Sequence, residues 1–210
     1  MSSNLSGQNL TCIRGNRLVF SSLNFDLKKG GALLLTGPNG SGKTSLLRLM
    51  AGLGKPITGI VKRDGIDIYD DLQLHHKCIN YVADYDANKS TLTVQENLDF
   101  WSKLHGDQKV LSGLKAFDLE SLADLPARFL STGQMRRLAL ARLAAINADI
   151  WLLDEPTIAL DTGSVDCLRR LINNHRHNGG AVVAATHVEL GLENAEALDM
   201  SRYVKNGVSK

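Results

Sequence analysis

The stretch "GALLLTGPNGSGKTSLLRLMAGL", residues 31–53, decides the fold. Its apolar run at residues 32–35 shows no alternation with polar residues, which is typical of a strand buried on both faces. A glycine-rich turn follows, and good helix formers come after it. The turn matches the phosphate-loop spacing G-x-x-x-x-G-K-T at residues 37–44. A glycine-rich turn that matched this spacing by chance would not be expected to lie between a buried strand and a helix. We therefore predict a binding site for a nucleoside triphosphate.

Each part of this loop has a chemical task. Its glycines let backbone N–H groups close around the β- and γ-phosphates, Lys43 supplies a positive charge, and the Thr44 hydroxyl ligates Mg²⁺. The predicted ATP contacts therefore span the loop and the start of its helix: Gly37, Pro38, Asn39, Gly40, Ser41, Gly42, Lys43, Thr44 and Ser45.

A second apolar run ends in two adjacent carboxylates. In "IWLLDE", residues 150–155, Asp154 and Glu155 follow four apolar residues. Neighbouring buried acids are costly without a cation, so Asp154 is predicted to hold Mg²⁺ through its water shell. Glu155 would then orient and deprotonate the attacking water. The alternative is that Glu155 only caps the next segment.

A histidine completes the predicted catalytic set. His187 directly follows the apolar run "AVVAAT", residues 181–186, which places it at the same sheet edge as Asp154. From this position an imidazole can hydrogen-bond a γ-phosphate and fix the attacking water. A lone histidine is usually structural, but the strand end favours a functional role. The candidate catalytic residues are thus Lys43, Glu155 and His187.

The remaining sequence alternates strands and helices. This order predicts an α/β fold with a mostly parallel core sheet, an N-terminal antiparallel β subdomain and a short helical insert at residues 84–130. Asp64-Gly65 is a hairpin signal, and Thr93 with Glu96 forms a capping box. Besides the strand at 32–35, the predicted strand regions are 8–28, 59–69, 78–83, 149–154, 181–186 and 202–208, the last turned at Asn206-Gly207. The predicted helices begin near residues 43, 93, 131 and 163.

A second helix start in the chain is suited to an anion. In "FLSTGQMRRLALARL", residues 129–143, Ser131 and Gly133 stand at the mouth of a helix that we predict to be amphipathic. Free N–H groups and a hydroxyl there would face an anion. One phosphate loop already encloses its nucleotide from one side, so we expect this site to bind the nucleotide of another copy. Two copies arranged head to tail would enclose two ATP molecules in a closed dimer.

Together, these motifs resemble the ATP-binding subunit of ABC transporters over nearly the whole chain. The phosphate loop resembles Walker A, "LSTGQ" the LSGGQ signature, "IWLLDE" Walker B, "ALD" at 159–161 the D-loop, and His187 the switch histidine. The resemblance implies the P-loop NTPase fold and a single ATP-binding domain over residues 1–210. It also implies that ATP closes the dimer and thereby moves membrane permease subunits.

The resemblance further implies roles at the interface between the two copies. Ser131, Gly133 and Gln134 would contact the nucleotide held by the other copy, and Asp161 would communicate across the dimer. The arginines of the signature helix are expected to form a solvated or dimer-facing stripe: Arg136, Arg137 and Arg142.

Two positions depart from the family pattern. The Q-loop glutamine should fall near "YVADYD", residues 81–86, where the candidates are Asp84 and Tyr85. An aspartate there can still approach Mg²⁺. The aromatic residue that stacks on adenine should come from residues 11–17, which contain none. We therefore expect Arg14 or Arg17 to contact the base, or base stacking to be weak.

Shorter segments resemble the haem-exporter ATPases of cytochrome c maturation, among them "LTVQENLDFW" at 92–101 and "GGAVVAATH" at 179–187. That resemblance implies a peripheral protein on the cytoplasmic face of the inner membrane, which works with permease subunits and haem-handling membrane proteins. Coupling helices of the permeases would dock on the insert, with local core packing as the alternative role of the candidate contacts Tyr85, Leu92, Phe100 and Trp101. An ATPase subunit does not contact cargo, so an ABC transporter of another cargo stays open.

The composition excludes several other classes of protein. The net charge of +2 over 210 residues leaves no strong field for nucleic acid, so no nucleic-acid partner is expected. The three cysteines lack CxxC spacing, which favours reduced thiols over a disulfide or a zinc site. No leader-like start or long apolar run occurs, so we expect neither secretion nor membrane spanning. Soluble ATP-switched adaptors need a second such domain or a long coiled coil, and the chain has room for neither.

Overall fold

The computed structural model describes residues 4–106 and 109–204. The strands in this part of the chain are β1 (Leu5–Arg14), β2 (Arg17–Leu27), β3 (Ala32–Thr36), β4 (Thr58–Arg63), β5 (Ile66–Asp67), β6 (Ile79–Val82), β7 (Ile150–Asp154), β8 (Ala181–Ala185) and β9 (Glu196–Asp199). They form an antiparallel sheet of order β2-β1-β4-β5 and a parallel sheet of order β6-β7-β8-β3-β9. The predicted α/β fold with an N-terminal antiparallel subdomain is therefore confirmed.

The described helices cover both faces of the parallel sheet. They are α1 (Lys43–Met50), α2 (Leu72–Cys78), α3 (Val94–His105), α4 (Val110–Ala116), α5 (Thr132–Ala145) and α6 (Thr162–His177), with 3-10 turns at Glu120–Leu122, Ala127–Phe129 and Met200–Tyr203. One buried cluster joins the two sheets and α1, and a second joins the opposite face of the parallel sheet to α3–α6. Among the described residues, no helix has the length and hydropathy needed to cross a bilayer.

Local sequence explains the regular parts of both sheets. All residues of β7 and β8 are buried, which is why these strands read as continuous apolar runs. The β4–β5 hairpin turns at Asp64 and Gly65, whose φ angles are 52° and 83°. Positive φ at both turn residues matches the right-handed twist of the paired strands. At the start of α3, Thr93 and Glu96 form the predicted capping box.

The prediction for the end of the chain was wrong where the structure describes it. Arg202 and Tyr203 lie in a 3-10 turn instead of the predicted strand at 202–208, and residues 205–208 lie outside the described part. The last described strand is β9, which pairs in parallel with β3. Asp199 ends it by capping the 3-10 turn: its Oδ1 accepts a hydrogen bond from the backbone N–H of Ser201.

The predicted solvated or dimer-facing stripe on α5 was wrong for two of its three arginines. The helix is not amphipathic, because apolar residues cover all of its faces, as in "LALARLAA" at 138–145. Arg136 and Arg142 are each only 3% exposed. Both point into the protein and donate to backbone carbonyls, while Arg137 is half-buried and donates to the carbonyl of Phe117.

Candidate active site

The carboxyl ends of the parallel strands converge on one cavity of about 760 Å³. The phosphate loop follows β3, Asp154 ends β7, and His187 follows β8. Of the residues predicted from sequence, the cavity lining includes Asn39, Gly40, Gly42, Lys43, Thr44, Ser45, Asp154, Glu155 and His187. Gly37, Pro38 and Ser41 belong to the same loop but do not line the cavity.

The phosphate loop is folded around a buried lysine. Lys43 is 8% exposed, and its Nζ donates to the carbonyl oxygen of Gly37 at 2.8 Å and of Pro38 at 3.4 Å. Ser41 Oγ is buried and has no hydrogen-bond partner among the described residues. A buried ammonium group and an orphaned hydroxyl beside a loop of backbone N–H groups are the features expected around a phosphate. These residues therefore fit a bound triphosphate.

The antiparallel sheet fixes the shape of this loop. Gly42 has a φ of 99°, and a Cβ at that position would lie 2.6 Å from Cγ1 of Val19 and 3.0 Å from Cδ1 of Phe20. Only glycine accommodates both the backbone angle and the contact with β2. Packing between the two sheets thus sets the path of the loop immediately before Lys43.

Asp154 is the buried acid of the cavity, with 2% of its surface exposed. Burial raises the pKa of its carboxyl, and hydrogen bonds from the Thr44 and Tyr81 hydroxyls act in the opposite direction. The Tyr81 hydroxyl lies 3.4 Å from Oδ2 of Asp154. A buried carboxylate next to the Thr44 hydroxyl provides hard oxygen ligands of the kind that Mg²⁺ prefers, so these residues fit the predicted metal.

Glu155 is adjacent in sequence but has different surroundings. Its φ is 44°, its backbone N–H donates to the carbonyl of Ala185 at 2.8 Å, and its side chain is 20% exposed. One carboxylate oxygen lies 3.6 Å from Nε2 of His187, whose side chain is 63% exposed. This pair faces the cavity and is suited to hold a water molecule and a phosphate oxygen.

The helix α5, which contains most of the signature "LSTGQ", begins with a complete capping box. Ser131 Oγ accepts from the backbone N–H of Gln134 at 3.2 Å, and Gln134 Oε1 accepts from the N–H of Ser131 at 2.8 Å. The hydroxyl proton of Ser131 is still available to an external acceptor. A Cβ on Gly133 would lie 3.0 Å from the carbonyl oxygen of Ala159, so this glycine allows close contact with the segment after β7. Asp161 starts α6 by accepting from Ser164 N–H at 2.7 Å, and this bond lowers its pKa.

None of these interface candidates lines the cavity beside the phosphate loop of the same chain. Ser131, Gly133, Gln134 and Asp161 lie instead at the starts of α5 and α6. The structure therefore brings together the candidate residues for phosphate, Mg²⁺ and water, but leaves the signature residues outside that group.

Comparisons with known proteins identify the family. A match to the ABC transporter family covers residues 20–158, which is more than half of the chain. The chain belongs to the ABC transporter family. Among its relatives is the cytochrome c biogenesis ATP-binding export protein CcmA of Paramagnetospirillum magneticum, 44% identical over 96% of this chain and 95% of the relative. The protein of the same name from Rhodospirillum rubrum is 48% identical over 94% of this chain and 86% of its own.

Solved structures of ABC proteins share this fold. A dimeric ATP-binding cassette in a post-hydrolysis state, with ADP and Pi bound, is 27% identical and aligns with a TM-score of 0.79 over 93% of each chain. An ATP-binding subunit of an ABC transporter aligns with a TM-score of 0.79 at 20% identity, over 87% of this chain and 79% of that one. The chain is accordingly a P-loop NTPase of the ABC type that binds and hydrolyses ATP.

The two departures from the ABC pattern have structural counterparts. At the Q-loop position, Asp84 lines the cavity, whereas Tyr85 is 88% exposed. On the side of the cavity toward β1 and β2, Arg14 and Arg17 line it together with aliphatic residues. Both arginines are the candidates that the sequence predicts for contact with the base.

Sequence reasoning missed two residues behind the cavity. Tyr81 looked like an ordinary residue of a core strand, and nothing in its neighbours signals a hydrogen bond to Asp154. Arg136 was expected on the surface, yet its guanidinium bonds to the backbone of Asp154 and Glu155. One signal was present: a helix with apolar residues on every face is mostly buried, and two of the three arginines of α5 are buried with it.

Proposed function

We propose that this ATPase powers a membrane transport complex of cytochrome c biogenesis that exports haem or releases a haem-loaded chaperone. The observation that carries this proposal is the identity of 44% and 48%, over nearly the whole chain, to export proteins of cytochrome c biogenesis. We further propose that residues 1–210 form one ATP-binding domain, with the helical insert at 84–130.

The proposed hydrolysis uses residues on opposite sides of the terminal phosphate. The phosphate loop and Lys43 bind the β- and γ-phosphates and neutralise charge on the oxygens. Thr44 and Asp154 would hold Mg²⁺, which would stabilise charge on the phosphate oxygens. Glu155 orients a water in line with the γ-phosphate and accepts its proton, while His187 donates a hydrogen bond to the phosphate. The water oxygen bonds to the γ-phosphorus, and the bond between that phosphorus and the oxygen that bridges it to the β-phosphate breaks. ADP leaves with the electrons of the broken bond.

The second wall of each site is proposed to come from another copy of the chain. Ser131 and Gly133 stay outside the cavity of their own chain, and the start of α5 presents a hydroxyl proton to an external anion. A head-to-tail dimer would bring this helix start, with Gln134, to the nucleotide of the partner copy. Asp161 would then lie at the contact between the copies. The dimeric state of the ADP-bound structural neighbour supports the proposal of a dimer.

Permease subunits are proposed to dock beside the insert. An apolar groove there is lined by Leu53, Trp101 and Leu104, and Leu53 and Leu104 are 50% and 61% exposed. Tyr85 and Phe100, two of the contacts predicted from sequence, are exposed, while Leu92 and Trp101 are half-buried. Exposed apolar residues at one site favour a partner surface. The chain would thus lie on the cytoplasmic face of the inner membrane through its partners.

Purification of the tagged protein from membranes tests the transport proposal. We expect permease subunits and haem-handling membrane proteins to copurify, and the Glu155→Gln variant to retain them in the presence of ATP. Companions unrelated to haem would contradict the assignment to cytochrome c biogenesis and favour an ABC transporter of another cargo. A preparation with no membrane protein at all would contradict the transport role itself.

A further inference from the structure

We propose that Arg136 is a positioning residue for ATP hydrolysis. From behind the cavity, its guanidinium fixes the backbone of residues 154–156 and thereby the carboxylate of Glu155. The same group joins this backbone to the segment at residues 83–86. The inference rests on the proposed role of Glu155 as the base that deprotonates water.

The contacts of Arg136 account for all of its hydrogen-bonding capacity. Its side chain is 3% exposed and bonds to acceptors from two distant segments. On one side, Nη2 donates to the carbonyl oxygens of Asp154 at 3.0 Å and Glu155 at 2.8 Å, and Nε donates to that of Pro156 at 3.3 Å. A planar guanidinium can donate to all three at once, whereas an ammonium group cannot match this fork.

The backbone held in this way is strained. Glu155 has a φ of 44°, a conformation that residues with a side chain rarely adopt and that persists only where the surroundings fix it. Three successive carbonyl groups directed at one buried cation provide that restraint. The direction of the Glu155 carboxylate follows from the backbone angle, so the restraint also sets its distance from the cavity.

The other side of the guanidinium holds the segment after β6. Nη1 donates to the carbonyl of Ala83 at 2.8 Å, to that of Asp84 at 3.4 Å and to Oδ1 of Asp86 at 2.9 Å. Asp84 lines the cavity and Tyr85 is exposed next to it. A displacement of this segment would therefore shift the guanidinium of Arg136, which holds the backbone of Glu155.

Arg136 itself does not line the cavity, so a nucleotide bound there would not contact its side chain. Its influence on hydrolysis would therefore pass through the backbone of residues 154–156, which sets the direction of the Glu155 side chain, and through the segment at 83–86. This distinguishes it from Lys43, which lies inside the phosphate loop.

The test compares Arg136→Lys with Arg142→Lys. Arg142 lies on the same helix, is equally buried at 3% exposure, and donates to the carbonyls of Ala139 and Tyr81 instead. For R136K we expect kcat to fall about 10- to 100-fold with KM for ATP within about twofold, because the base is misplaced while the phosphate loop is intact. R142K should lower the Tm but keep kcat within about twofold. Equal kcat in the two folded variants would overturn the proposal.

A double variant tests whether Arg136 acts through Glu155. In single-turnover assays we expect R136K to lower the residual rate of Glu155→Gln by less than about twofold, because the base is already absent. An unchanged 10- to 100-fold loss in that background would overturn the proposal. Failure of the base assignment is a separate result, since Glu155→Gln would then turn over ATP as fast as the parent protein.

If R136K does not fold, Asp86→Asn replaces it in the test. This substitution removes the negative charge of a side chain that is 21% exposed, and it leaves the carbonyl contacts of Arg136 in place. We expect kcat to fall about three- to tenfold without a change in KM, since a hydrogen bond to a charged acceptor is replaced by a weaker one. An unchanged kcat would overturn the link to the segment at 83–86.

Discussion

Asp154 and Glu155 are neighbouring carboxylates whose environments suit different tasks. Asp154 is buried and receives hydrogen bonds from Thr44 and Tyr81, so its oxygens are fixed for a cation. Glu155 is more exposed and lies 3.6 Å from His187 across the cavity edge. Pairs of acids with contrasting surroundings often divide metal binding and proton transfer between them. For this reason we propose Glu155 as the group that accepts the proton of the attacking water.

The Glu155→Gln variant should separate binding from turnover. The amide keeps the size of the side chain but cannot accept a proton, so we expect kcat to fall by about 10²- to 10⁴-fold. Binding of MgATP, measured by titration with a fluorescent analogue, should stay within a few-fold of the parent. The exposed Glu120→Gln is the matched control and should leave both quantities unchanged. Turnover by Glu155→Gln at the parental rate would exclude Glu155 as the base.

His75 should make the folded state sensitive to mild acid. It is fully buried, its Nε2–H donates to the carbonyl of Met50 at 2.8 Å, and burial lowers its pKa to about 4, assisted by Arg63 and His76. The unfolded chain binds a proton near pH 6.5 and the folded chain does not, so stability falls as pH decreases from 6.5 toward 4. Between pH 7.5 and pH 5 the titration of this one group should lower the free energy of unfolding by about 2 kcal/mol.

Urea unfolding of His75→Gln at both pH values measures that contribution. The amide can still donate to the carbonyl of Met50, but it does not titrate. Between the two pH values the free energy of unfolding of the variant should therefore fall by about 2 kcal/mol less than that of the parent protein. The exposed His177→Gln is the control and should behave like the parent. An equal pH dependence in parent and His75→Gln would show that His75 does not titrate abnormally.

At the scale of elements, α5 connects the parts of the site. Ser131 caps its N-terminus, its second turn holds Arg136 behind the cavity, and its last turns pack against α4. The contact with α4 is close because of Gly113: a Cβ there would lie 2.8 Å from the carbonyl oxygen of Ala141. The placement of α5 thus depends on this helix pair.

Gly113→Ala should therefore destabilise the protein although alanine is the better helix former. The gain in helix propensity is about 1 kcal/mol, whereas forcing two packed helices apart costs typically 1–3 kcal/mol. We expect a net loss of about 1 kcal/mol in thermal or urea unfolding. Gly163→Ala on α6 is the control, because its Cβ would lie 3.6 Å from its nearest neighbour, and it should be neutral or stabilising. A more stable Gly113→Ala variant would show that the helix pair can separate freely.

Elements with a strong local signal were predictable and the others were not. Continuous apolar runs, the phosphate loop and the capping box at Thr93 led to β3, β7, β8, α1 and α3. The seven-residue helix α2 was missed because "LQLHHKC" has few apolar residues at helical spacing. The strand β9 was missed because "EALD" has no strand-like composition, and it forms only by pairing with β3.

At the scale of the whole molecule, motif residues were predictable and their supports were not. Lys43, Thr44, Asp154, Glu155 and His187 were named from spacing and strand ends, and they line one cavity. Arg136 could not be assigned from spacing, because its acceptors lie 18–20 and 50–53 positions away in the sequence. Long-range backbone contacts of this kind depend on how α5 packs on the sheet.

The cavity of one chain lacks the signature residues, so the proposed hydrolysis requires an active site shared between two copies. Glu155→Gln would remove the proposed base of a copy's own site, and Ser131→Arg would block the proposed second wall of its partner's site. In a dimer that combines one copy of each, both changes fall in one site and the other site is intact. Two inactive proteins should therefore regain activity together.

The direct test is the ATPase rate of this mixed dimer, isolated after coexpression of the two variants with different affinity tags. We expect each variant alone to be nearly inactive and the mixed dimer to recover up to about half of the parental rate per dimer, since one of two sites is intact. Circular dichroism of Ser131→Arg controls for its folding. A mixed dimer that remains as inactive as either variant would contradict the shared site.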